Sequence, residues 1–551
     1  MPATAVVVLG FALRVLHLGR LPSGLFCDEA ANGLDAWSLL TTGRSLHGEA
    51  WPLFLQHHGI DWVEPLYTWS LIPSVALLGR TALAVRLPAA LAGALTLLAV
   101  WLLVRRLAGG RTALFAAALT ALSPWHLVLS RVGYRGILLP LAMVLAAWLF
   151  VSGIEAPRWR WPLAGLALGV ALWTYSVARA FVPLALVALL LAYARPVRAA
   201  LRDRAAHRAA LLAALVLVAL AAPLYGAALW GTANARFDEI SIFAHPRPVA
   251  RLAMNLLLQL DPLFLFLDGD ADPRAGIGGF GQGLMALAPL VLWGAWRARR
   301  DRGARLALLL FAAGAVPPAL TASGVPHALR GIGSAPWLEV LAAIGLAEML
   351  RWAAEGGGGR RLVAAGALAA IGLNAALFLG AYFSRYPGIS AEGFQHGWQQ
   401  AIAVAETEGA AWDRVLLSPR ENQPYVFPLF YGGAEIGTFQ SARSLGRYGA
   451  LDPERSGRRM EPGRYGFVAM HCEEVKGAPA REVARVRSPR GDVSLRLYEV
   501  VIEEPTWVGL AKRGACGGPT GVAGWPWARS LALRSRAAIH DAFALPVVTE
   551  G

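Results

Sequence analysis

Long apolar segments recur along the chain from near its N-terminus to about residue 383, and short charged segments separate them. A helix needs about 20 apolar residues to cross a bilayer. The pattern therefore predicts a polytopic α-helical membrane protein. The eleven segments expected to cross the membrane are 3–18, 82–104, 112–129, 137–153, 163–177, 181–193, 209–228, 284–296, 306–320, 332–349 and 362–383.

The rest of the chain has the composition of a soluble protein. We therefore expect two domains, a transmembrane domain at 1–383 and a small soluble α/β domain at 384–551. Within the second domain, apolar periodicity predicts a helix at 394–406 and strands at 414–417, 465–470, 483–486 and 493–501. The sequence Arg-Gly-Asp at 490–492 is typical of a hairpin turn between the last two strands.

The first connection between spans is itself structured. Residues 30–42 have apolar side chains at helical spacing and are followed by Gly43, which is typical of a helix end. Residues 65–79 form a second apolar segment, interrupted by Pro73. Both segments predict amphipathic helices at the membrane surface.

Charge assigns the two sides of the membrane. Arginines cluster in every second connection, at 105–111, 158–160, 195–208, 297–305 and 351–361, whereas the alternate connections are acidic or mixed. Basic connections face the cytoplasm, so the acidic connections and the residues after 384 are expected outside. The net charge of +15 follows from this pattern and does not indicate nucleic-acid binding, which needs a basic face on a soluble domain.

Composition indicates the kind of organism that encodes the protein and whether its cysteines can form disulfide bonds. The only lysines are Lys476 and Lys512, a bias that suggests a GC-rich bacterial genome and therefore a bacterial cytoplasmic (inner) membrane. Three cysteines are too few for a disulfide framework. Cys472 and Cys516 both lie in the soluble part, where they can pair if that part is extracytoplasmic, and Cys27 is expected to be unpaired.

The acidic pair Asp28-Glu29 lies just outside the first span, and Asp61 and Glu64 follow in the same connection. Ionisable groups at the membrane edge are costly to desolvate, which favours a functional role. A carboxylate there can accept a proton from a hydroxyl or bind a divalent metal. The alternative is structural, with Asp28 as the N-terminal cap of the following helix.

Four arginines break the positive-inside pattern, because they lie at the outer ends of spans: Arg131, Arg135, Arg179 and Arg330. Guanidinium groups bind phosphate through paired hydrogen bonds, so a phosphate group at this level is the functional interpretation. The alternative is that their side chains reach to lipid headgroups.

Two loop motifs allow weaker interpretations. Alternating aspartates at 268–272, followed by Arg274, resemble a calcium loop but lack the glutamate of an EF-hand, so a loop that covers the substrate or a plain turn is favoured. The glycines of 276–281 match a dinucleotide fingerprint, yet no strand precedes them. We therefore interpret residues 276–281 as a flexible loop.

An ordered set of motifs resembles the GT-C superfamily of membrane glycosyltransferases over about residues 5–385. The set comprises a first span, Asp28-Glu-Ala, a helix, Glu64-Pro-Leu-Tyr67, a second helix, Arg86-Leu-Pro, Ser123-Pro-Trp, Ser130-Arg, the Asp-Gly-Asp loop and Pro326-His-Ala-Leu-Arg330. It is most similar to the branch of the protein O-mannosyltransferases and the lipid A aminoarabinose transferase.

The resemblance implies roles for residues of these motifs. An acid at the position of Asp28 acts as catalytic base, and Glu64, which matches the acid of the second motif, is expected to be the second catalytic residue. A lysine follows that acid in the aminoarabinose transferase, whereas Pro65 follows it here, so the phosphate contact is expected from an arginine. The residues expected to bind the donor phosphate are Arg131, Arg135, Arg179 and Arg330, and those expected to line the substrate are Glu29, Asp61, Tyr67 and His327.

The predicted function is therefore inverting transfer of a sugar from a polyprenyl-phosphate donor to an acceptor on the outer face of the membrane. The acceptor class stays open among protein, lipid and polysaccharide. The sequence assigns no cofactor, and it leaves metal dependence open, with a divalent metal at Asp28 and Glu29 as the candidate. A transporter or flippase of a lipid-linked or glycan substrate and a non-catalytic glycan-binding scaffold are the alternative functions.

Overall fold

The computed structural model describes residues 2–57, 61–155, 158–231, 234–420, 422–451 and 457–512. Helices dominate as far as Ser384, and strands follow mainly after it. The helices are α1 (Pro2–Val15), α2 (Cys27–Thr42), α3 (Leu66–Leu78), α4 (Ala82–Leu122), α5 (Pro124–Leu129), α6 (Leu138–Glu155), α7 (Arg160–Leu172), α8 (Ala178–Ala192), α9 (Ala194–Ala200), α10 (Arg204–Trp230), α11 (Ala235–Ile240), α12 (Pro248–Gln259), α13 (Pro262–Phe266), α14 (Ala288–Arg297), α15 (Arg302–Gly314), α16 (Val316–Ala319), α17 (Ala335–Ala354), α18 (Gly358–Ser384), α19 (Tyr386–Gly393), α20 (Trp398–Thr407), α21 (Val426–Tyr431) and α22 (Ile436–Ala442). Short 3-10 turns lie at Arg135–Ile137, Ile242–Ala244, Met285–Leu287 and Ile332–Ser334.

The chain is a multi-pass membrane protein, as predicted. By length and composition, six helical segments of the described residues are suited to cross a bilayer, or seven if the bent pair α8–α9 counts as one span. Shorter apolar helices, including α1, α3 and α7, accompany them. The predicted count of eleven spans therefore stays a prediction.

Residues 82–104 and 112–129, which were expected as separate spans, both lie in α4, and α4 is interrupted at Gly109, where φ is 85° and the backbone is not helical. This break lies in the basic connection that was expected between the two spans. One region differs from the predicted pattern. Residues 248–266, expected within a large outer connection, form α12 and α13, which together are apolar enough for a span. Residues 248–259 were not predicted as a span because polar residues such as Arg251 and Asn255 interrupt the apolar sequence of α12.

The core of the membrane part lies around α4 and α17. Helix α4 packs against α1, α6 and α17, and α17 also packs against α14. Almost all residues of the apolar stretch that contains α17 are buried inside the protein, whereas few residues of the apolar stretches of α10 and α18 are buried. Apolar side chains exposed along α10, such as Leu215 and Val218, suit contact with lipid.

The two helices predicted in the first connection are present as α2 and α3. Helix α2 ends at Thr42 and is capped by Gly43, whose φ of 69° is the left-handed conformation expected of that position. Most residues of α2 from Cys27 to Leu39 are buried, so α2 does not lie on a surface. Helix α2 is covered by α3 and α4, and also by α21, which belongs to the C-terminal part. Sequence periodicity alone did not indicate this burial.

Strands β1 (Leu55–His57) and β2 (Asp61–Val63) pair with each other in the first connection.

The C-terminal part contains two sheets. Its strands are β3 (Arg414–Leu417), β4 (Tyr448–Ala450), β5 (Gly457–Met460), β6 (Gly463–Met470), β7 (Glu473–Lys476), β8 (Ala480–Arg487), β9 (Val493–Ile502) and β10 (Thr506–Lys512). One sheet has the order β4-β3-β6-β9-β8, with β3 parallel to β4 and β6 and the other pairs antiparallel. The second has the order β5-β10-β7. The small sheet domain predicted from the sequence is confirmed.

Local details agree with several sequence predictions. The hairpin between β8 and β9 turns at Gly491, which has a φ of 91°. Residues 276–281 form a loop, so the dinucleotide interpretation is excluded. Cys27 is a free buried thiol and Cys472 is disulfide-bonded, while Cys516 lies outside the described residues.

Candidate active site

A cavity of about 860 Å³ lies where several spans end, between the first connection, the loop before α17 and the C-terminal part. Its wall contains the starts of α6 and α8 and the end of α10. These helix ends are opposite the arginine-rich connections, on the side assigned as outside by charge. Its charged lining residues are Asp28, Asp61, Arg135, Arg179, Asp272, Arg274, His327 and Arg330.

The acidic pair of the first connection is divided by the start of α2. Helix α2 begins at Cys27 with Phe26 as its cap, so Asp28 lies in the first turn and is not the cap. There it forms part of the cavity wall. The Cys27 thiol, whose pKa burial raises, donates to Asp28 Oδ1 at 3.7 Å.

Glu29 points away from the cavity and is fully buried. It accepts Arg86 Nε at 2.9 Å and Nη2 at 3.0 Å, and it also accepts the backbone N–H groups of Gly133 at 2.8 Å and Phe26 at 3.2 Å. A buried ion pair is stable when its remaining lone pairs are satisfied in this way. Glu29 therefore anchors the first turn of α2 and does not line the cavity.

Glu64 lies behind the cavity wall and orients two of the predicted arginines. It is buried, accepts Arg179 Nη2 at 2.7 Å and lies 3.6 Å from Arg135 Nε. Arg179 Nη1 also donates to Asn234 Oδ1 at 2.7 Å, and the Arg135 guanidinium lies over the ring of Tyr175 at 5.3 Å. Both guanidinium groups are thus fixed in the wall, which suits them to an anion.

The loop before α17 supplies Arg330 and His327. Arg330 Nη1 donates to Thr321 Oγ1 at 2.9 Å and to the Ser323 carbonyl at 3.0 Å. Burial and the nearby Arg330 lower the pKa of His327 to about 3, so this histidine is neutral at physiological pH. It can hydrogen-bond in the cavity but adds no positive charge.

The aspartate-rich loop holds that segment in place. Asp270 is buried, and it accepts the backbone N–H of Ala328 at 2.7 Å and of Asp272 at 2.9 Å. Burial raises the pKa of Asp270 to about 6, although these hydrogen bonds oppose the rise. The calcium interpretation finds no support here, because the described residues hold no group of three metal-ligating side chains.

The same loop contributes two wall residues, Asp272 and Arg274, which the sequence placed in a loop that covers the substrate or a plain turn but not among the site residues. Arg274 Nε lies 2.9 Å from both carboxylate oxygens of Asp272, and its guanidinium lies over the ring of Phe26 at 4.3 Å. Burial alone would raise the pKa of Asp272, but the hydrogen bonds from Arg274 hold it below its ordinary value. The signal in the sequence was the run Asp272-Pro-Arg274, one residue after the Asp-Gly-Asp motif.

Two further predicted site residues are absent from the wall. Arg131 is fully buried, and it donates to the carbonyls of Leu13, Arg14 and Leu16 and to the Tyr382 hydroxyl. Its donors thus bond the carbonyls at the end of α1 and just after it, and Arg131 does not line the cavity with the other three arginines. Tyr67 is fully buried, and its hydroxyl donates to the Val85 carbonyl at 2.8 Å, so it does not line the cavity either.

The residues present do not suit a metal bound between Asp28 and Glu29. The Glu29 oxygens accept four hydrogen bonds from other groups. Among the residues that the structure describes, Asp28 is not in any group of three potential ligands. We therefore derive no chemical step through a metal.

Comparisons with known proteins agree with this architecture. Residues 61–223 match the family described as dolichyl-phosphate-mannose-protein mannosyltransferase. The fold is similar to that of ArnT from Cupriavidus metallidurans in the apo state, with a TM-score of 0.52, 16% identity, and 91% of this chain and 98% of that chain covered. For the same protein bound to undecaprenyl phosphate, the TM-score is 0.50 at 15% identity, with 90% and 96% covered.

No curated protein matches the chain by sequence. The family match and the similarity to the ArnT fold nevertheless confirm the resemblance that the ordered motifs predicted. The chain is therefore a membrane protein of the GT-C glycosyltransferase fold that resembles the dolichyl-phosphate-mannose-protein mannosyltransferases and ArnT.

Proposed function

We propose that the protein is an inverting glycosyltransferase that moves a sugar from a polyprenyl-phosphate donor to an acceptor hydroxyl. The observation that carries this proposal is the cavity itself. It brings Asp28 together with Arg135, Arg179 and Arg330 at the ends of spans opposite the basic connections. A base and preorganised positive charge are the two elements that such a transfer needs.

The reaction balances with these groups alone. Asp28 accepts the proton of the acceptor hydroxyl, whose oxygen forms a bond to the anomeric carbon of the sugar. The bond from that carbon to the phosphate oxygen breaks, and its electron pair leaves with the polyprenyl phosphate. Attack opposite the leaving group inverts the anomeric centre. No nucleotide is involved, because the lipid phosphate is itself the leaving group.

We assign the leaving phosphate to the guanidinium groups of Arg135, Arg179 and Arg330. Glu64 fixes two of them, which lowers the reorganisation needed as negative charge develops on the phosphate. This arrangement takes the place of the lysine expected after Glu64, where Pro65 stands. The undecaprenyl phosphate bound to the similar ArnT structure supports a lipid phosphate as the donor group.

One side of the cavity is suited to the prenyl chain of the donor. Leu229, Phe237, Ile240, Pro317 and Leu320 form an apolar part of the wall beside Arg179. Leu229 belongs to α10, whose outer surface is largely exposed. An apolar wall next to a lipid-facing helix lets a prenyl chain enter from the bilayer while its phosphate reaches the arginines.

The geometry favours this function over transport. A transporter places ionisable residues near the middle of the membrane in broken helices. The charged wall residues here lie in connections and at one end of the spans. We place that end, and the C-terminal part next to it, outside a bacterial cytoplasmic membrane. The disulfide bond of Cys472 supports this placement, because disulfides persist in oxidising compartments.

Substitution of the proposed base tests the function. Purified protein in lipid nanodiscs would be incubated with a panel of radiolabelled polyprenyl-phosphate sugars and a cell-envelope extract. We expect Asp28→Asn to lower the transfer rate by about 10²–10⁴-fold, the range for loss of a general base. Asp492→Asn, an exposed carboxylate in the β8–β9 turn, should keep full activity. Full activity of Asp28→Asn at an unchanged melting temperature would disprove the assignment.

A further inference from the structure

The C-terminal part contributes to the cavity wall, although no site residue was expected from it. Asn422 and Gln423 line the cavity together with Asp28. Gln423 has a φ of 55°, a conformation that is costly for a residue with a side chain. Its Oε1 atom is buried and accepts no hydrogen bond from the residues that the structure describes. Gln423 thus combines a costly backbone conformation with an unsatisfied buried carbonyl, and such features are concentrated at functional sites.

A second glutamine attaches this segment to the first turn of α2. Gln395 Oε1 accepts the backbone N–H of Cys27 at 2.7 Å, and its Nε2 donates to the Asn422 carbonyl at 2.6 Å. Asn422 is therefore linked through one side chain to the residue before Asp28. Because Gln395 is almost fully buried, this link is shielded from water and positions Asn422 relative to Asp28.

Asn422 and Gln423 lie next to the first turn of α2, because Gln395 joins the Asn422 carbonyl to the Cys27 N–H. The arginines assigned to the phosphate are held by other contacts, Arg135 and Arg179 by Glu64 and Arg330 by Thr321. Asn422 and Gln423 thus lie on the Asp28 side. In an inverting reaction the acceptor approaches from the side opposite the leaving phosphate.

We propose that Asn422 and Gln423 bind the acceptor and determine its specificity, an inference that rests on the proposed function. Their side chains offer amide donors and carbonyl acceptors without net charge. Such groups recognise uncharged hydroxyls next to the attacking hydroxyl, whereas the phosphate needs guanidinium groups. The C-terminal part is therefore a component of the active site and closes its acceptor side.

If Asn422 and Gln423 bind the acceptor, their substitution should change the concentration dependence for the acceptor and not that for the donor. Initial transfer rates of the full-length protein would be measured against the concentration of cell-envelope extract at saturating donor, and against donor at saturating extract. For Asn422→Ala, Gln423→Ala and the double variant, we expect the half-saturating extract concentration to rise about tenfold, as for a lost hydrogen bond. The half-saturating donor concentration should stay within about twofold of wild type.

Matched controls make the outcomes distinguishable. Gln399→Ala removes an exposed amide of α20 and should change neither value. The rise in melting temperature caused by undecaprenyl phosphate reports a folded donor side, and every variant should retain it. Unchanged dependence on extract in both single variants, or a change in the donor value instead, overturns the inference while the proposed function stands. Absence of transfer by the wild-type protein with every donor refutes the proposed function, and the inference with it.

Discussion

At the scale of single residues, neighbouring acids in the sequence have opposite environments. Asp28 is in the cavity wall, whereas Glu29 is buried against Arg86. One helical step of about 100° separates their directions, so the fully bonded Glu29 fixes the rotation of the first turn and thereby the direction of Asp28. Similarly, Arg131 and Arg135 differ by four residues, but only Arg135 reaches the cavity.

Asp270 gives a pH-dependent prediction at the residue scale. Its pKa is about 6 in the folded protein, against an ordinary value of 3.8. Between these values the folded state binds more protons at Asp270 than the unfolded state, so the contribution of Asp270 to stability falls as pH rises from about 4 to 6 and is then constant. We expect Asp270→Asn to remove this fall, which amounts to about 1–3 kcal/mol.

Melting temperatures of the purified protein at pH 4.5 and 7 measure the effect of Asp270. Asp238→Asn, which alters an exposed carboxylate of α11, should leave the difference between the two temperatures unchanged. An equal difference in the wild-type protein and in Asp270→Asn would mean that Asp270 does not titrate in this range.

At the scale of elements, close contact between α14 and α17 supports the loop that carries Arg330. A Cβ atom added at Gly294 would lie 2.0 Å from the Leu341 carbonyl oxygen, and one added at Gly345 would lie 2.0 Å from the Leu290 carbonyl oxygen. The two helices thus approach each other through reciprocal glycines. Small residues allow such approach between helices in membranes, where the hydrophobic effect does not drive association.

We therefore expect Gly345→Ala to separate α14 from α17 and to destabilise the protein by about 1–3 kcal/mol, the usual cost of overpacking. Gly372→Ala is the matched control, because a Cβ added there in α18 meets no atom within 4 Å. Thermal unfolding in one detergent compares the two variants. A melting temperature of Gly345→Ala equal to that of Gly372→Ala would contradict the contact.

At the scale of the whole molecule, the C-terminal part covers the first connection. Gln440 Nε2 donates to Ser38 Oγ at 2.8 Å and to the Ser45 carbonyl at 2.9 Å, and α21 packs on α2. The C-terminal part thus lies on the same side of the membrane as Asp28. If charge places the basic connections in the cytoplasm, the C-terminal part is outside.

Cysteine labelling in intact bacterial cells tests this topology. Asp492→Cys places a thiol in the exposed β8–β9 turn, and Arg300→Cys places one in an exposed position of a basic connection. A membrane-impermeant maleimide should label the first variant in intact cells and the second only after the membrane is permeabilised. The wild-type protein, whose Cys27 is buried, provides the background. The reverse pattern would invert the orientation.

The apolar segments and the side preference of arginine are local properties of the sequence, so they determined much of the architecture before any contact was known. The apolar helices, the helix capped by Gly43, the strands 414–417 and 493–501 and the small sheet domain all follow from periodicity and end signals. The ordered motifs further indicated the GT-C resemblance and brought Asp28, Arg135, Arg179 and Arg330 into one hypothesis.

Only the tertiary structure decided which polar residues share the cavity. A buried ion pair removed Glu29 from the wall, carbonyl contacts removed Arg131, and packing of the C-terminal part added Asn422 and Gln423. Sequence patterns report the side of a helix or the level in a membrane. They do not report the partner of a side chain, because hydrogen bonds between residues such as Cys27 and Gln395 depend on how distant segments pack.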